Sequence, residues 1–323
     1  MANLPSPEPE PCIDLHLDLP DRREGKVRVS YALADDQRLF LTTDRLSAFD
    51  RVIRGVPYKG QVLNQLAAWW FECTADIVDN HALVTPDPNA LVAVAAQPLP
   101  IEVVVRGYIT GSTSTSLWMQ YEAGARMIYG HRFPDGISKN TALPTAIVTP
   151  TTKAEHGGHD EPLTCADVVT RGLLPADLWS RVQDAALAVF ARGQRVAEAA
   201  GLILADTKYE FGLDPDGGLL LIDEIHTPDS SRFWFAESYA ARHARAEEPE
   251  SFDKEYVRRW LAAKGFTGEG PVPTLPDEVR MEAARRYIDA YERITGTDFV
   301  PDLRPPVARI KAALGLSIDA SAP

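Results

Sequence analysis

Two apolar runs separated by a short turn-forming sequence constrain the fold of this chain more than any other feature. The runs are "LILADTKYEFGLD" (202–214) and "GLLLIDEI" (218–225), and "DPDG" lies between them. Because Asp, Pro and Gly favour turns, this pattern predicts a β-hairpin. Side chains alternate between the two faces of a strand, so three charged residues of the first run share one face. These residues are Asp206, Lys208 and Glu210.

The hairpin also predicts a contact between opposite charges. A four-residue turn from Asp214 to Gly217 pairs residue 213 with residue 218, which places Lys208 opposite Asp223 and makes Glu210 a diagonal neighbour. Two carboxylates beside a lysine suit a Mg²⁺–phosphate site, with oxygen ligands for the metal and an ammonium for phosphate oxygens. A solvated face with cross-strand ion pairs is the alternative, and the apolar runs that begin both strands weaken it.

Composition limits the possible partners and the cellular location. The 323 residues are 45% hydrophobic, enough for one large domain or two to three lobes, and the formal net charge is −13. Such an acidic chain has no electrostatic reason to bind nucleic acid or an anionic membrane. Three distant cysteines predict neither a disulfide framework nor a zinc site, and the chain lacks a secretory signal and a membrane-spanning run. We therefore expect a cytoplasmic protein.

Periodicity along the rest of the chain predicts an α+β fold. Short strands are expected at 26–33 and 38–44, a helix in "GQVLNQLAAWWFECTAD", a buried strand at 101–109 and a long helix at 178–201. Helices are expected near 253–264, 276–294 and 305–314. The predicted organisation is a loose leader (1–20), an antiparallel β lobe (21–97), a central lobe of sheet and helices (98–245) and a C-terminal helical part packed on that central lobe (246–323).

Three further segments carry groups that bind anions. In "VVVRGYITGSTSTSLW", Arg106 ends a strand, and the residues from Ser112 to Ser116 lead into a helix whose N–H groups attract anions; plain helix capping is the alternative. In "REGKVRVSY", Lys26 and Arg28 could cover nucleotide phosphates, but no P-loop or GxGxxG pattern is present, and this segment taken alone favours an exposed basic strand.

The third segment, "TKAEHGGHDEP" (152–162), holds Lys153 and Asp160 around two histidines. His156 and His159 stand three residues apart without further His or Cys ligands nearby, which is poor support for zinc. A glycine-rich loop that closes on a substrate also fits this pattern, but the spacing alone favours a plain surface loop.

Together these segments resemble the SAICAR synthetase family. The matching stretches follow the family's order over roughly residues 22–300: "GKVRVSY", "TTDRLSAFD", "KGQVLNQLAAWWF", "LPIEVVVRGYITGS", "TPTTKAEHGGHDE", "ADTKYEFG" and "DEIHTPDSSRFW". The resemblance implies ligation of L-aspartate to the carboxylate of carboxyaminoimidazole ribotide (CAIR), with ATP and Mg²⁺, through a phosphorylated carboxylate. It also implies a β lobe over ATP. We expect a monomer or small homo-oligomer, and the acidic composition predicts no nucleic-acid or membrane partner.

The resemblance further implies roles for individual residues. Asp223 is the expected Mg²⁺ ligand, with Glu210 on the metal or the nucleotide, and Lys26 and Arg28 lie over the ATP phosphates. Ser47, Asp50 and Glu102 match positions near the CAIR imidazole and carboxylate, and Lys153 and Asp160 match the aspartate loop. The ribotide and its phosphate are assigned to Arg106, Ser112, Lys208, Ser231 and Arg232, with Asp229 ordering the loop or the substrate; Lys208, Asp223 and Arg232 are the expected catalytic residues.

One departure from the family's pattern leaves a residue assignment open, and two other functions are also compatible with the sequence. The run "GSTSTSLW" holds more hydroxyls than the family's shorter form, so Ser114 or Ser116 could replace Ser112. A kinase-like phosphotransferase is the alternative function, although HRD, DFG and GxGxxG motifs are missing. A non-catalytic binding protein is a third possibility, against which the charged positions of the motifs argue.

Overall fold

A computed structural model describes residues 10–49, 51–153, 160–252 and 255–316, and within them the chain is a mixture of helices and antiparallel sheets. The strands are β1 Arg23–Glu24, β2 Arg28–Ala32, β3 Gln37–Thr42, β4 Arg45–Ala48, β5 Arg51–Gly55, β6 Ala82–Asp87, β7 Ala90–Val94, β8 Gln97–Pro98, β9 Ile101–Ile109, β10 Met127–Ile128, β11 His131–Arg132, β12 Thr141–Thr152, β13 Leu202–Leu213, β14 Leu219–Ile222 and β15 Ser231–Phe235. The helices are α1 Lys59–Thr74, α2 Leu117–Glu122, α3 Cys165–Thr170, α4 Ala176–Ala199, α5 Ala236–Ala244, α6 Glu255–Ala263, α7 Asp277–Thr295 and α8 Pro306–Ala313. The predicted α+β class is confirmed.

The first sheet has the strand order β1-β2-β3-β7-β6 and forms an antiparallel lobe. Apolar side chains alternate along β2 and β3, so Val29, Tyr31, Leu39 and Leu41 all point into one hydrophobic cluster. This sheet lies within the predicted N-terminal β lobe. The boundaries of the lobes remain predictions.

The prediction of a loose leader is wrong for residues 10–20. Leu15 and Leu17 are buried in the hydrophobic cluster of the first sheet, and the Leu17 N–H donates to the Tyr31 hydroxyl at 2.9 Å. The prediction rested on the abundant Pro and Glu of this segment and overlooked two leucines that are two residues apart, as on one face of a strand. Full burial of a leucine side chain stabilises a fold by about 1.5–3 kcal/mol.

The central sheet positions the candidate site. Its order is β12-β9-β13-β14, and β13 also pairs with β15 and β8. One face of β9 and β13 is apolar and packs on α4, with Val103, Val105 and Tyr209 in the main core. The alternate residues of the same two strands face the other way and carry the charged groups Glu102, Arg106, Asp206, Lys208 and Glu210, because successive side chains of a strand point to opposite faces.

The long helix α4 has its apolar residues at helical spacing and passes close to one histidine. Its buried residues include Val182, Val189 and Phe190, and Gly193 continues the same stripe. A Cβ added at Gly193 would lie 2.3 Å from His226 Cε1, so this position admits the histidine only because it is glycine. The close approach fixes the distance between α4 and the chain that follows β14.

The C-terminal helices pack on more than the central lobe, which corrects the prediction. Tyr287 and Ile288 of α7 share a cluster with Val62 and Leu63 of α1, whereas Ile294 reaches the main core. Ile310 of α8 completes the cluster of the first sheet. The three predicted tail helices are present, and the sequence analysis missed α3 and α5.

Candidate active site

The polar faces of β9 and β13 form the floor of the candidate site. Asp206 pairs with Arg106 and Lys208 pairs with Val104, so the charged residues of the two strands face each other across the register. Glu102 and Glu210 extend the same face. The sheet thus brings together residues that lie about a hundred positions apart in the sequence, because β9 and β13 are direct neighbours.

Lys208 is surrounded by three carboxylates. Its ammonium lies 3.2 Å from Glu102 Oε1 and 3.6 Å from Asp223 Oδ2, and it is hydrogen-bonded to Glu210. Burial alone would lower the pKa of Lys208, but Glu210, Asp223 and Glu102 raise it well above its ordinary value. Lys208 therefore carries its charge at neutral pH and serves as a fixed cation.

The predicted register of the hairpin is wrong by one residue. Leu213 pairs with Leu219 rather than with Gly218, so the loop spans residues 214–218 and Glu210 lies opposite Ile222. The contact between Lys208 and Asp223 nevertheless exists, because Asp223 follows the end of β14 with a φ of 70°. This left-handed backbone turns the carboxylate back toward Lys208, which a regular strand in this register would not do.

Arg28 joins the first sheet to this cluster. Its guanidinium is hydrogen-bonded to Asp223, and its Nη2 lies 2.9 Å from Glu224 Oε2. Glu224 is buried, which raises its pKa, and it accepts a hydrogen bond from Thr227 Oγ1 at 2.7 Å. Glu224 directly follows Asp223 in the sequence, but a role was predicted for Asp223 alone.

Lys153 and Asp160 lie at the two ends of the predicted aspartate loop. Lys153 is hydrogen-bonded to Glu210. Burial raises the pKa of Glu102, and the nearby charges of Glu210 and Asp160 raise it further. Burial opposes ionisation of Glu210, but Lys208 and Lys153 lower its pKa to about 2. His156 and His159, and the predicted substrate residue Asp50, lie outside the described residues.

A second cluster centres on Asp206. Arg232 Nη1 donates to Asp206 Oδ2 at 2.5 Å, and Arg106 Nη1 lies 3.6 Å from the same oxygen. Arg106 also donates from Nε to Thr149 Oγ1 at 2.8 Å. One carboxylate between two guanidiniums leaves a net positive charge, which favours a doubly charged anion such as a phosphate monoester.

Two cavities border this second cluster. One of about 350 Å³ is lined by Ser112, Arg232 and Arg258, and one of about 150 Å³ is lined by Asp206, Ser231, Arg232 and Arg258. Arg258 was missed because the helical spacing of "EYVRRWL" gave no sign that α6 would face the site. Ser231 is buried and shares a hydrogen bond with Thr207 at 2.7 Å.

The hydroxyl-rich run after β9 divides into two parts. Ser116 caps α2 and accepts a hydrogen bond from the Met119 N–H at 3.4 Å, as the capping alternative predicted. Ser112 is exposed, and its hydroxyl lies 3.5 Å from Glu255 Oε1 beside the larger cavity. Ser112 therefore lines the larger cavity, whereas the Ser116 hydroxyl is used in capping the helix.

The remaining predicted residues lie on the first lobe. Lys26 is exposed in the turn that precedes β2. Ser47 lies in the β4–β5 hairpin opposite Val52, and Phe49 of the same hairpin lines the larger cavity. The predicted roles of Lys26 and Ser47 stay predictions.

The loop between β14 and β15 is fixed by buried polar side chains that the sequence analysis did not assign. His226 is fully buried, is hydrogen-bonded through Nε2 to the Tyr209 hydroxyl, and meets the Trp70 ring edge-on at a centroid distance of 4.5 Å. Lys59, also fully buried, donates to Asp229 Oδ2 at 2.7 Å. The roles of these residues depend on contacts between segments that are distant in the sequence, so local sequence patterns did not predict them.

The fold and the site define a class of protein in which a mixed sheet, joined to a β lobe through Arg28, gathers cations suited to anionic ligands. A model of the SAICAR synthetase family matches residues 21–272. The phosphoribosylaminoimidazole-succinocarboxamide synthase of Legionella pneumophila (strain Paris) is 48% identical over 283 residues, which cover 87% of this chain and 90% of the relative. The chain belongs to the SAICAR synthetase family, whose members are ATP-dependent ligases of purine biosynthesis.

Solved structures agree with this membership. The SAICAR synthase of Saccharomyces cerevisiae, complexed with SAICAR, superposes with a TM-score of 0.77 at 32% identity and covers 89% of this chain and 99% of that chain. A type-2 SAICAR synthetase in complex with ADP superposes with a TM-score of 0.66 at 25% identity, with 88% and 100% covered. In the described ranges, no helix is both long and apolar enough to cross a membrane.

Proposed function

We propose that this chain joins L-aspartate to CAIR and releases SAICAR, ADP and phosphate, in de novo purine biosynthesis. The observation that carries the proposal is the pair of charged clusters on one sheet face, centred on Lys208 and Asp206. All three reactants are anionic and the chain is strongly acidic, so cations must be concentrated locally. The clusters supply Arg28, Lys208 and Lys153 at one end and Arg106 with Arg232 at the other.

We propose that ATP lies at the Lys208 cluster, below the first sheet. Lys26 and Arg28 would contact its phosphates, and Arg28 is already held at the cluster by Asp223 and Glu224. Phosphate oxygens would replace carboxylates as partners of the cations, which keeps each buried charge paired. Lys208 would lie beside the phosphate that is transferred.

The carboxylates of this cluster fit a magnesium ion. Asp223 and Glu210 share contacts with Lys208, and hard carboxylate oxygens suit Mg²⁺. The described part of the chain holds no group of three or more His, Cys, Asp or Glu arranged for a metal. This agrees with Mg²⁺, which commonly takes only one or two carboxylates and completes its shell with phosphates and water. Bound there, the ion would neutralise phosphate charge.

The chemistry then needs two displacements. The CAIR carboxylate oxygen attacks the terminal phosphorus of ATP, the bond to ADP breaks, and an acyl phosphate forms. The amine of L-aspartate attacks the acyl carbon, phosphate leaves with the bonding electrons, and the proton lost by the amine is taken up by the departing phosphate as the amide forms. Glu102 would lie near the CAIR carboxylate, with Ser47 and Asp50 near its imidazole. Holding the reactants together removes much of the entropic cost of this sequence.

We assign the ribotide phosphate to the Asp206 cluster. Arg106 and Arg232 would donate hydrogen bonds from their guanidinium groups. Ser112 would contribute a hydroxyl at the wall of the larger cavity, and Ser231 lines the smaller cavity at the start of β15. L-Aspartate would lie near Lys153 and Asp160. We also propose a cytoplasmic location, in line with three free thiols, and a monomer or small homo-oligomer.

The test is ADP release by the purified full chain with ATP and Mg²⁺, adding CAIR and L-aspartate singly and together. Release that needs both, with SAICAR identified by mass, supports the ligase. Release with another hydroxyl-bearing acceptor and without L-aspartate would favour the kinase-like phosphotransferase instead. A purified chain that is folded but does not bind ATP would favour the non-catalytic binding protein.

A further inference from the structure

A buried triad joins three distant parts of the chain next to the smaller cavity. Lys59 at the start of α1 donates to Asp229 Oδ2 at 2.7 Å, and the Tyr287 hydroxyl on α7 donates to Asp229 Oδ1 at 2.5 Å. The Lys59 ammonium also lies 5.5 Å from the centroid of the Tyr287 ring. We call Lys59, Asp229 and Tyr287 the Asp229 clamp.

Stability alone does not explain the clamp. Lys59 is 0% exposed, and the Asp229 side chain is 5% exposed, so both charges have lost their water. Taking an ion out of water costs several kcal/mol, and well-packed apolar residues in the same place often stabilise a fold as much or more. A buried pair of this kind is better explained by the position that it imposes on Asp229.

Asp229 belongs to the chain segment that forms the cavity wall. Its N–H donates to Thr227 Oγ1 at 3.3 Å, and the N–H groups of Ser230 and Ser231 donate to the Thr227 carbonyl at 3.2 and 2.9 Å. This tight turn leads directly into Arg232, and residues 228–232 line the smaller cavity. A shift of the Asp229 carboxylate would therefore move the polar groups that face the cavity.

We propose that Lys59 and Tyr287 are positioning residues for the ribotide: through Asp229 they hold the segment 229–232 in the geometry that binds CAIR. This inference rests on the proposed function, because it takes Ser231 and Arg232 as the ribotide contacts. Lys59 and Tyr287 are hydrogen-bonded to the segment through the two carboxylate oxygens of Asp229. Their effect should consequently fall on CAIR and leave ATP binding at the other cluster unchanged.

The variant Tyr287→Phe tests the clamp with little risk to the fold. It removes one hydroxyl and keeps the ring in its apolar cluster. Tyr58→Phe is the matched control, because Tyr58 belongs to the same cluster, precedes Lys59, and has a buried hydroxyl without a hydrogen-bond partner among the described residues. Both variants lose one oxygen from the same region, and only one loses a contact to Asp229.

Two measurements on the full chain decide the matter. The first is the KM for CAIR and for ATP in the coupled ADP assay: for Tyr287→Phe we expect the KM for CAIR to rise about fivefold to tenfold, as for a lost hydrogen bond to a charged group, and the KM for ATP to stay within about twofold. The second is hydrogen–deuterium exchange of residues 227–232, which should become faster in Tyr287→Phe and stay unchanged in Tyr58→Phe.

The outcomes separate this inference from the function on which it rests. Equal changes in both KM values, or a lower melting temperature with unchanged KM and unchanged exchange, would overturn the positioning role. Failure of the wild-type chain to form SAICAR would refute the proposed function. Exchange would still decide the clamp in that case, because equal rates at residues 227–232 in both variants would overturn it.

Discussion

Arg232 donates a hydrogen bond to Asp206 at 2.5 Å across the paired strands β15 and β13, and the same carboxylate faces Arg106. We expect Asp206→Asn to lower the free energy of unfolding by about 3 kcal/mol, because two largely buried guanidiniums lose their anionic partner. Urea unfolding measures this loss.

Asp135→Asn is the control for Asp206→Asn. Asp135 pairs with Arg126 at 2.6 Å, but its side chain is 89% exposed. Exposed pairs contribute little, so the stability should hardly change. Similar losses in both variants would mean that Asp206 is not a stabilising counter-ion.

Asp223→Asn tests the proposed magnesium ligand. We expect the rate of ADP release to fall about 100-fold or more, with a higher Mg²⁺ concentration needed for half-maximal rate, since a neutral amide is a poor ligand for Mg²⁺. Asp216→Asn, in the exposed loop of the same hairpin, should leave both quantities unchanged. Unaltered Mg²⁺ dependence in Asp223→Asn would remove this residue from the metal site.

Two buried histidines predict how stability depends on pH. Burial lowers the pKa of both His81 and His226 from 6.5 to about 3. Between these values the unfolded chain binds more protons, so each histidine destabilises the fold as the pH falls below about 6.5. Burial raises the pKa of Asp44 to about 6, and protonation of Asp44 in the folded chain offsets part of the loss.

We therefore expect the free energy of unfolding to fall between about pH 7 and about pH 5, by up to about 2 kcal/mol for each histidine. Chemical denaturation at several pH values measures the slope. His81→Gln, which cannot titrate, should show a shallower slope than the wild type. Identical slopes would mean that His81 does not stay neutral in the folded chain.

The close approach of α4 to His226 gives a further test. A Cβ at Gly193 would lie 2.3 Å from His226 Cε1, so Gly193→Ala should lower the free energy of unfolding by about 1–3 kcal/mol through overpacking. Helix propensity alone predicts a gain of about 1 kcal/mol, and Ala191→Gly on the exposed side of α4 measures that term. A stabilised Gly193→Ala variant would contradict the contact.

The sequence predicted the elements of the hairpin but not its register. The turn-forming residues located the loop, but whether four or five of them leave the ladder depends on backbone geometry that alternation alone cannot give. Asp223 contacts Lys208, as expected, only because its backbone has a positive φ. Nothing in the amino-acid sequence indicated this backbone conformation. The shared strand face of Asp206, Lys208 and Glu210 was predictable, because the alternation of side chains depends only on neighbouring residues in the sequence.

Contacts between distant segments were beyond reach of local patterns. Lys59 and Asp229 are separated by 170 positions, and nothing near either residue indicates the other. The family resemblance did mark both neighbourhoods as motifs, through "KGQVLNQ" and "TPDSSRFW". It could not show that a helix from the tail would supply Tyr287 to the same carboxylate.

The cluster behind the first sheet has a consequence for synthesis on the ribosome. Leu15 and Leu17 lie against β2 and β3, and Ile310 of α8 fills the same cluster. A chain emerging N-terminus first can form these strands early, but this apolar surface stays open until Ile310, near the end of the sequence, has been translated. The lobe proposed to cover ATP would therefore be among the last parts of the nascent chain to reach its final packing, and until then a holding chaperone would have an apolar surface to bind.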